Sequence, residues 1–383
     1  MAQFWRPATP AEWLDILIAV LIWPFGVLLS ALWFTQKNGG IVAKRFGRSK
    51  LAQFGDQLRL AVTSGLLPPW YYIFELFRLD ARKGAYCYLT RGQTKRGIYP
   101  ILAKARGSVS PLGDKEAFAR FCADHQVSAL PVLLSVHDGE VRGRLPADLP
   151  ETDLFVKPVC GRGGKGAERW DFIRRGVYRR DTGQHLSAAQ FMTRLGALSR
   201  WQPVLVQERA QNHPALRDLS NGALNTLRII SCLDEDDQPE IIAAVLRMAV
   251  GKNVTVDNVH AGGLGAAVDL DRGRLMRATD IGTDVRLGWI DRHPDTGAQI
   301  TGRTLPMWDE VCDLVRQAHR AFHDRVVVGW DVAIMSDWPR LVEGNSGPDI
   351  DLVQRPLRTP FGDARLGELL AHHLKRINSF STP

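Results

Sequence analysis

The chain has 383 residues, of which 45% are hydrophobic and 23% are charged. These proportions exclude general disorder, and the length predicts two or three packed subdomains rather than one small core. The formal net charge of +8 favours an anionic partner, which could be a nucleotide, a membrane surface or a nucleic acid. Five scattered cysteines without a CxxC pair indicate reduced thiols and argue against a disulfide framework or a zinc site.

An apolar run from Ile16 to Phe34 dominates the N-terminal region and carries no charged side chain. As a helix, its nineteen residues would cover roughly 28 Å, close to the hydrocarbon thickness of a bilayer. Arg6 is the only basic residue before the run, whereas five basic residues follow it between positions 37 and 50. This asymmetry predicts membrane association through residues 13–34, with the C-terminal bulk at the inner, cytoplasmic face of the cell membrane.

Two membrane conformations of this segment are compatible with the sequence. It could be a single spanning helix with Pro24 as a kink, or a re-entrant or surface-lying hairpin broken at Pro24, Phe25 and Gly26. A buried helix of a soluble protein is the third interpretation. The following residues 51–83 form an amphipathic and then aromatic stretch, which would either lie on anionic lipid or pack on the rest of the chain.

From about residue 85 the sequence changes to short β-like runs separated by glycine-rich turns. Helices are predicted at 114–124, 187–199 and 309–323. The apolar runs predicted to be strands of a largely antiparallel sheet are 154–159, 203–208, 224–233, 240–248, 264–270 and 328–335. The alternation of these elements indicates α+β layering around a cleft.

A glycine-rich segment, FVKPVCGRGGKG, extends from Phe155 to Gly166. Glycines allow backbone N–H groups to approach a phosphate, and Lys157, Arg162 and Lys165 add positive charge. The segment lacks the GxxxxGK[ST] pattern of a Walker loop. It predicts phosphate binding, with an ordinary surface loop as the alternative.

A second constellation consists of Asp331, Glu343 and Asn345 in the segment VGWDVAIMSDWPRLVEGN. Two adjacent strands joined by a short turn would bring Asp331 and Glu343 side by side, with Asn345 on the same face. Two carboxylates and an amide oxygen suit Mg²⁺, with Mn²⁺ as the alternative ion. A solvated hairpin with unrelated acids is the other interpretation.

In their order and separation, these motifs resemble the ATP-grasp superfamily and, within it, the sugar-transfer-associated group, over about residues 84–360. The resemblance implies an ATP-grasp fold of the α+β class, in which two subdomains grip ATP between antiparallel sheets, preceded by a hydrophobic helical segment. The implied domains are a membrane-associating segment (1–40), linker helices (41–83) and a catalytic domain (84–383) whose two parts meet near residue 205.

The resemblance also implies roles for individual residues. The lysines of LGDKEAF and VKP would contact ATP, the glycine-rich segment would cover its phosphates, and the strand LVQE would read adenine and ribose. The nucleotide-binding set is therefore Lys115, Lys157, Gly161, Arg162, Gly163, Gly164, Gln207 and Glu208. Asp331, Glu343 and Asn345 would hold the metal.

Three residues are implied to act on the reacting groups. Arg228 and Arg247 would face the transferring phosphate, and Asn258 lies in a loop that matches the NxxxGG segment closing on substrate. Thr226 stands where glutamate-ligase-like members have aspartate, which leaves the local hydrogen bonding open.

The function implied by the resemblance is an ATP- and Mg-dependent carboxylate–amine, or carboxylate–thiol, ligase that acts through an acyl phosphate. Its partners would be a small-molecule or glycan-linked carboxylate and an amine acceptor, and the product could be a cell-surface polysaccharide precursor. A kinase for a hydroxyl group and a non-catalytic, membrane-associated ATP-binding protein are the alternatives. No nucleic-acid module is recognisable, so a nucleic-acid partner is not expected. The sequence leaves the oligomeric state open.

Overall fold

The computed structural model describes residues 9–142, 149–161, 164–251 and 262–380. Its helices are α1 (Pro10–Phe46), α2 (Lys50–Ser64), α3 (Pro68–Ile73), α4 (Leu79–Lys83), α5 (Arg91–Gln93), α6 (Tyr99–Ala105), α7 (Lys115–Asp124), α8 (Ala188–Ser199), α9 (Trp308–Ala321), α10 (Asp351–Leu357) and α11 (Arg365–Phe380). A π-helical turn, Thr94–Ile98, joins α5 to α6.

The strands form two antiparallel sheets of seven strands each. The first sheet has the order β2-β1-β7-β3-β4-β5-β6, from β1 (Leu134–His137), β2 (Glu140–Arg142), β3 (Leu154–Pro158), β4 (Glu168–Arg174), β5 (Val177–Arg180), β6 (His185–Ser187) and β7 (Val204–Glu208). The second has the order β12-β11-β10-β9-β8-β13-β14, from β8 (Thr226–Leu233), β9 (Pro239–Met248), β10 (Leu264–Asp269), β11 (Arg274–Thr279), β12 (Trp289–Ile290), β13 (Val327–Ile334) and β14 (Pro339–Asn345). The predicted α+β class is confirmed.

Local sequence explains where the predicted helices begin. The carboxylate of Asp114 accepts hydrogen bonds from the backbone N–H groups of Glu116 and Ala117, both at 2.9 Å, and so caps α7. At α8, Ser187 and Gln190 form a reciprocal capping box. These caps place Lys115 at the first position of α7, at the edge of the interface between the two sheets.

The two faces of the second sheet are covered differently. On β8, Leu227 and Ile229 belong to a hydrophobic core that α9 completes. Side chains alternate along a strand, so Arg228 and Ile230 lie on the opposite face. On that face α6, α10 and α11 cover only the part around Ile230 and Val245. The remainder of the face, which carries Arg228, is left for the cleft.

Helix α1 runs without a break through Pro24 for 37 residues. The hairpin alternative is therefore not formed. Its N-terminal half exposes large apolar side chains, including Phe25 (69%) and Leu29 (66%). By length and composition, the stretch Val20–Phe46 is sufficient to cross a membrane.

The C-terminal half of α1 packs on the body of the protein. The ring of Phe34 stacks on Tyr72 with centroids 6.0 Å apart. The amide of buried Asn38 donates to the carbonyl of Thr283 and accepts from the N–H of Val285, both at 3.2 Å. Residues 51–83 pack on the rest of the chain, as one of the two interpretations expected. Contact of this segment with lipid stays a prediction.

Helices α1 to α4 form an N-terminal unit, and Arg355 connects this unit to the second sheet. Its side chain is only 3% exposed. It donates to the carbonyls of Ile73 (2.6 Å) and Asp280 (2.8 Å) and to the hydroxyl of Thr279 (2.8 Å). Gly282 makes room for it, because a Cβ at this position of positive φ would lie 2.1 Å from the guanidinium carbon. Loss of Arg355 would leave several buried acceptors without a donor.

We therefore expect Arg355→Met to lower the free energy of unfolding by about 3 kcal/mol, since removing one partner of a buried charged network has a cost of this size. The corresponding fall in Tm is about 4 °C for a chain of this length, measurable by thermal unfolding of the full chain in mild detergent. Arg286→Met is the matched control, because the Arg286 side chain is 76% exposed. Equal Tm shifts in the two variants would contradict the connecting role.

Candidate active site

A cavity of about 1210 Å³ lies between the two sheets. Among the residues that the structure describes, ten basic side chains line it, against four acidic ones, so the cavity attracts anions. The basic residues are Arg91, Lys95, Arg96, Lys115, Lys157, Lys165, Arg169, Arg209, Arg228 and Arg247, and the acidic residues are Glu208, Asp331, Glu343 and Asp349.

The register of the second sheet brings its candidate residues into one row. Arg228 on β8 lies opposite Asp331 on β13, which in turn lies opposite Glu343 on β14. Directly opposed residues of antiparallel strands project to the same face. Asn345 follows Glu343 by two positions and therefore shares this face, as the sequence predicted. The face is the one left open to the cavity.

Asp331 forms the centre of this row. It is buried, with Oδ1 accepting from Nε of Arg228 at 2.6 Å and Oδ2 accepting from a terminal nitrogen of Arg247 at 2.9 Å. Burial alone would raise the pKa of Asp331, but the two guanidinium groups hold it below its usual value. The carboxylate is therefore ionised and orients both arginines.

Thr226 provides a second hydrogen-bond acceptor for Arg247. It lies opposite Arg247 across β8 and β9, and its hydroxyl accepts from Nε of Arg247 at 3.0 Å. A hydroxyl thus accepts the hydrogen bond at the position where the resemblance led us to expect an aspartate. The departure in sequence leaves the arginine fixed, with one fewer negative charge beside it.

Lys115 lies beside Glu343 and Asn345, the two residues of this row that come from β14. Nζ of Lys115 lies 3.7 Å from Oε2 of Glu343 and donates to the carbonyl of Gly161 at 3.0 Å. The amide nitrogen of Asn345 points to Oε1 of Glu343 at 3.4 Å and to the carbonyl of Gly329 at 3.3 Å. This orientation leaves the Asn345 amide oxygen for a cation.

The donor set fits a divalent cation that prefers oxygen. Asp331 and Glu343 are two adjacent carboxylates, and Asn345 adds a neutral oxygen, the ligand types Mg²⁺ takes. Among the described residues no group of three or more His, Cys, Asp or Glu is arranged to hold a metal. The set seen here instead combines two acids with an amide.

Lys157 is the buried cation of the first sheet. It lies on β3 opposite Leu205 of β7, and it is only 8% exposed. Burial, helped by the nearby charge of Lys115, lowers the pKa of its amine to about 8 against the opposing effect of Glu343 and Asp331. An incoming anion would offset the burial penalty and restore the full positive charge.

The glycine-rich segment follows Lys157 directly. Gly161 and Gly164 line the cavity with φ values of 149° and 71°, in a region that disfavours residues with a Cβ. Arg162 and Gly163 lie outside the described residues, as does Asn258. Their predicted roles therefore stay predictions.

Gln207 and Glu208 end the strand β7. The pairing of β7 with β1 stops at Val206, so these two residues have a strand partner only on the β3 side. The buried side chain of Gln207 donates to the carbonyl of Leu130 at 2.9 Å and is not directed at a ligand. Glu208 is exposed and lines the cavity. A ligand would thus meet the backbone of this segment and the carboxylate of Glu208.

Several cavity residues were not singled out from the sequence. They are Leu67 and Trp70 at the start of α3, and Arg91, Lys95 and Arg96 around the π-helical turn. The local signal was the basic segment RGQTKRG (91–97), which matches no motif by itself. Only the packing of the N-terminal unit against the second sheet brings the segment 91–97 to the cavity.

A family model described as sugar-transfer-associated ATP-grasp matches residues 99–358, which is more than half of the chain. No curated protein matches the chain at a significant level. Among solved structures, D-alanine–D-alanine ligase from Bacillus anthracis matches with 11% identity and a TM-score of 0.38, over 70% of this chain and 68% of that chain. The L-amino acid ligase from Bacillus licheniformis matches with 10% identity and a TM-score of 0.38, over 68% of this chain but only 48% of that chain.

The depressed pKa of Lys157 leads to a testable pH dependence. Below about pH 8 the amine is charged and attracts phosphate, and above it the attraction is lost. Without divalent cations, the Kd for ADP should therefore rise by about tenfold between pH 7 and pH 9. Lys157→Arg, whose guanidinium stays charged, should abolish the dependence. The Kd values come from calorimetric titrations of the two proteins. An equal rise of Kd with pH in both would count against Lys157 as the titrating group.

Proposed function

The chain belongs to the sugar-transfer-associated ATP-grasp family, and on that basis we propose that it is an ATP-dependent ligase. In this proposal ATP activates a substrate carboxylate as an acyl phosphate, and an amine then displaces the phosphate to form a C–N bond. One observation carries the proposal. A row of fixed charges on the second sheet, centred on Asp331, faces a cavity that Lys157 of the first sheet and Lys115 of α7 also line.

The nucleotide is proposed to bind between the sheets. The backbone at Gln207 would contact the base, and the carboxylate of Glu208 the ribose. Lys157 would contact the phosphates from β3, and Lys115 from the start of α7. Arg162, Gly163 and the described Gly161 and Gly164 would form the cover above the phosphates.

The two arginines are proposed to stabilise the transferring phosphoryl group. A substrate carboxylate oxygen attacks the γ-phosphorus, the bond to the β,γ-bridging oxygen breaks, and ADP leaves. Arg228 and Arg247 carry the positive charge needed as negative charge spreads over the phosphoryl oxygens. Asp331 holds both guanidiniums in place before substrate arrives, so little reorganisation is required at the moment of reaction.

The second step needs an amine rather than a protein nucleophile. The amine nitrogen attacks the acyl carbon, inorganic phosphate leaves, and the amine proton passes to solvent or phosphate. Asn258 is proposed to lie in the loop that closes on substrate. Closure would exclude water, which otherwise hydrolyses an acyl phosphate.

A Mg²⁺ ion would be held by Asp331, Glu343 and Asn345, and Mn²⁺ could take its place. When bound, such an ion neutralises charge on the β- and γ-phosphates. The proximity of Lys115 to Glu343 keeps a positive charge beside this carboxylate.

We also propose a location and a substrate class, which the N-terminal helix and the family support. The exposed apolar half of α1 supports attachment to the inner face of the cell membrane through residues 13–34. The substrates would be a small-molecule or glycan-linked carboxylate and an amine acceptor in the formation of a cell-surface polysaccharide precursor.

Glu343→Ala should weaken the binding of Mg·ATP at least tenfold, or about 1.4 kcal/mol, because it removes a carboxylate ligand of the ion. Calorimetric titration of the full chain in neutral detergent measures this. Glu368→Ala is the control, since the Glu368 side chain is 65% exposed on α11. A folded wild type that does not bind Mg·ATP would remove the main support for the proposal.

Hydroxylamine separates the ligase from a kinase. With Mg·ATP, a substrate carboxylate and hydroxylamine, we expect one hydroxamate for each ADP released, because hydroxylamine intercepts an acyl phosphate. Arg228→Ala should reduce both products by at least about 100-fold, in line with the loss of a transition-state charge contact. ADP formation with a stable phosphorylated hydroxyl and no hydroxamate would instead identify a kinase.

A further inference from the structure

Part of the cavity is not accounted for by the nucleotide or the reacting groups. Three basic residues, Arg91, Lys95 and Arg96, line it from α5 and from the π-helical turn that follows α5. Lys95 also lies against the second sheet, since its Cγ is 4.0 Å from where a Cβ on Gly347 would stand. Gly347 follows Asn345 by only two residues. The three cations therefore adjoin the reactive row.

These cations exceed the negative charge beside them. Nε of Arg91 and Nζ of Lys95 both contact the same oxygen of Asp349, each at 2.7 Å. Burial would raise the pKa of Asp349, but these two contacts hold it below its usual value. The side chain of Arg96 is exposed to the cavity and forms no ion pair or hydrogen bond with any residue that the structure describes.

The local backbone presents the cations to the cavity. Thr90 and Gln93 form a capping box that fixes the start of the segment. The following turn, Thr94–Ile98, is π-helical rather than α-helical. Such wide turns inside helices occur frequently at functional sites, because the extra residue redirects side chains.

The neighbouring cavity wall is apolar. Leu67 (40% exposed) and the half-buried Trp70 line the same cavity, and the Trp70 ring stacks on Phe74 with centroids 5.3 Å apart. Both residues lie at the start of α3, the helix on which Phe34 of α1 packs through Tyr72. The apolar wall and the exposed apolar helix thus belong to one N-terminal unit.

We infer that the non-nucleotide substrate is an anionic amphiphile. Its phosphate or carboxylate group binds Arg96, supported by Arg91 and Lys95, and its apolar chain lies on Leu67 and Trp70. Arginine suits either anion, because its planar guanidinium can donate two parallel hydrogen bonds. The inference rests on the proposed function, since it assigns the substrate class of the same site.

Titration of hexyl phosphate into the full chain tests the inference. The protein is held in phosphatidylcholine nanodiscs with saturating Mg·ADP, so that the nucleotide phosphate positions are filled, and empty nanodiscs supply the blank. We expect hexyl phosphate to bind at least tenfold more tightly than inorganic phosphate, which lacks the apolar chain. Hexanoate in place of hexyl phosphate distinguishes a carboxylate from a phosphate as the preferred anion.

The variants identify the residues responsible. Arg96→Glu should lower the affinity for hexyl phosphate at least tenfold and Arg96→Lys should restore most of it, whereas the exposed Arg272→Ala should have no effect. Leu67→Ser should remove the advantage of hexyl phosphate over inorganic phosphate. Equal affinities in wild type and Arg96→Glu, or equal affinities for the two phosphates, would overturn the inference.

Binding of ADP, measured in the same nanodisc preparation before Mg·ADP is added to saturation, separates the two proposals. If ADP binds but hexyl phosphate does not, the amphiphile subsite fails and the ligase proposal stands. If hexyl phosphate binds through Arg96 but Mg·ATP and ADP do not bind, the nucleotide proposal fails on its own.

Discussion

The carboxylate of Asp331 between the guanidiniums of Arg228 and Arg247 is the interaction on which the site depends. It requires three neighbouring strands in one register, because each of the three residues comes from a different strand. Buried ion networks of this kind contribute little net stability, since desolvation offsets the attraction between the charges. The charge that the cavity needs explains this cluster better than the stability of the fold does.

The rest of the second sheet is arranged around that cluster. One face is closed by α9 over a continuous apolar core. The other face is apolar only where α6, α10 and α11 cover it. The polar row can therefore be partly buried without interrupting either core, and it opens to the side on which the first sheet contributes Lys157 and the glycine-rich segment.

The N-terminal unit is bound to the second sheet through several contacts. Arg355 binds the backbone carbonyl of Ile73, and the indole of Trp289 donates to Glu75 at 2.7 Å. Arg358 also lies over the Trp289 ring, 3.9 Å from its centroid. These contacts position α3 at the margin of the cavity. The apolar helix α1 and a wall of the candidate site are consequently connected through the same N-terminal unit.

The sequence was sufficient for the features that depend on short-range pattern. The helical patterns and apolar runs predicted α7 to α9 and the main strands, and the spacing of Asp331, Glu343 and Asn345 predicted that they share a face. The apolar run from Ile16 to Phe34 predicted a hydrophobic segment but left open whether it forms one helix or a hairpin. In each case the residues that determine the element or the shared face lie close together in the chain, so the local sequence is sufficient to predict it.

Tertiary structure decided what long-range packing controls. The sequence did not indicate that Asp331 would bind two arginines about 100 and 84 positions away in the chain. Nor did it indicate that the Gln207 side chain would donate to the carbonyl of Leu130. It left open whether residues 51–83 lie on lipid or on the protein, and it did not connect the segment 91–97 with the site. Each of these depends on which surfaces meet across the fold, and that is determined by the burial of the whole chain rather than by any one motif.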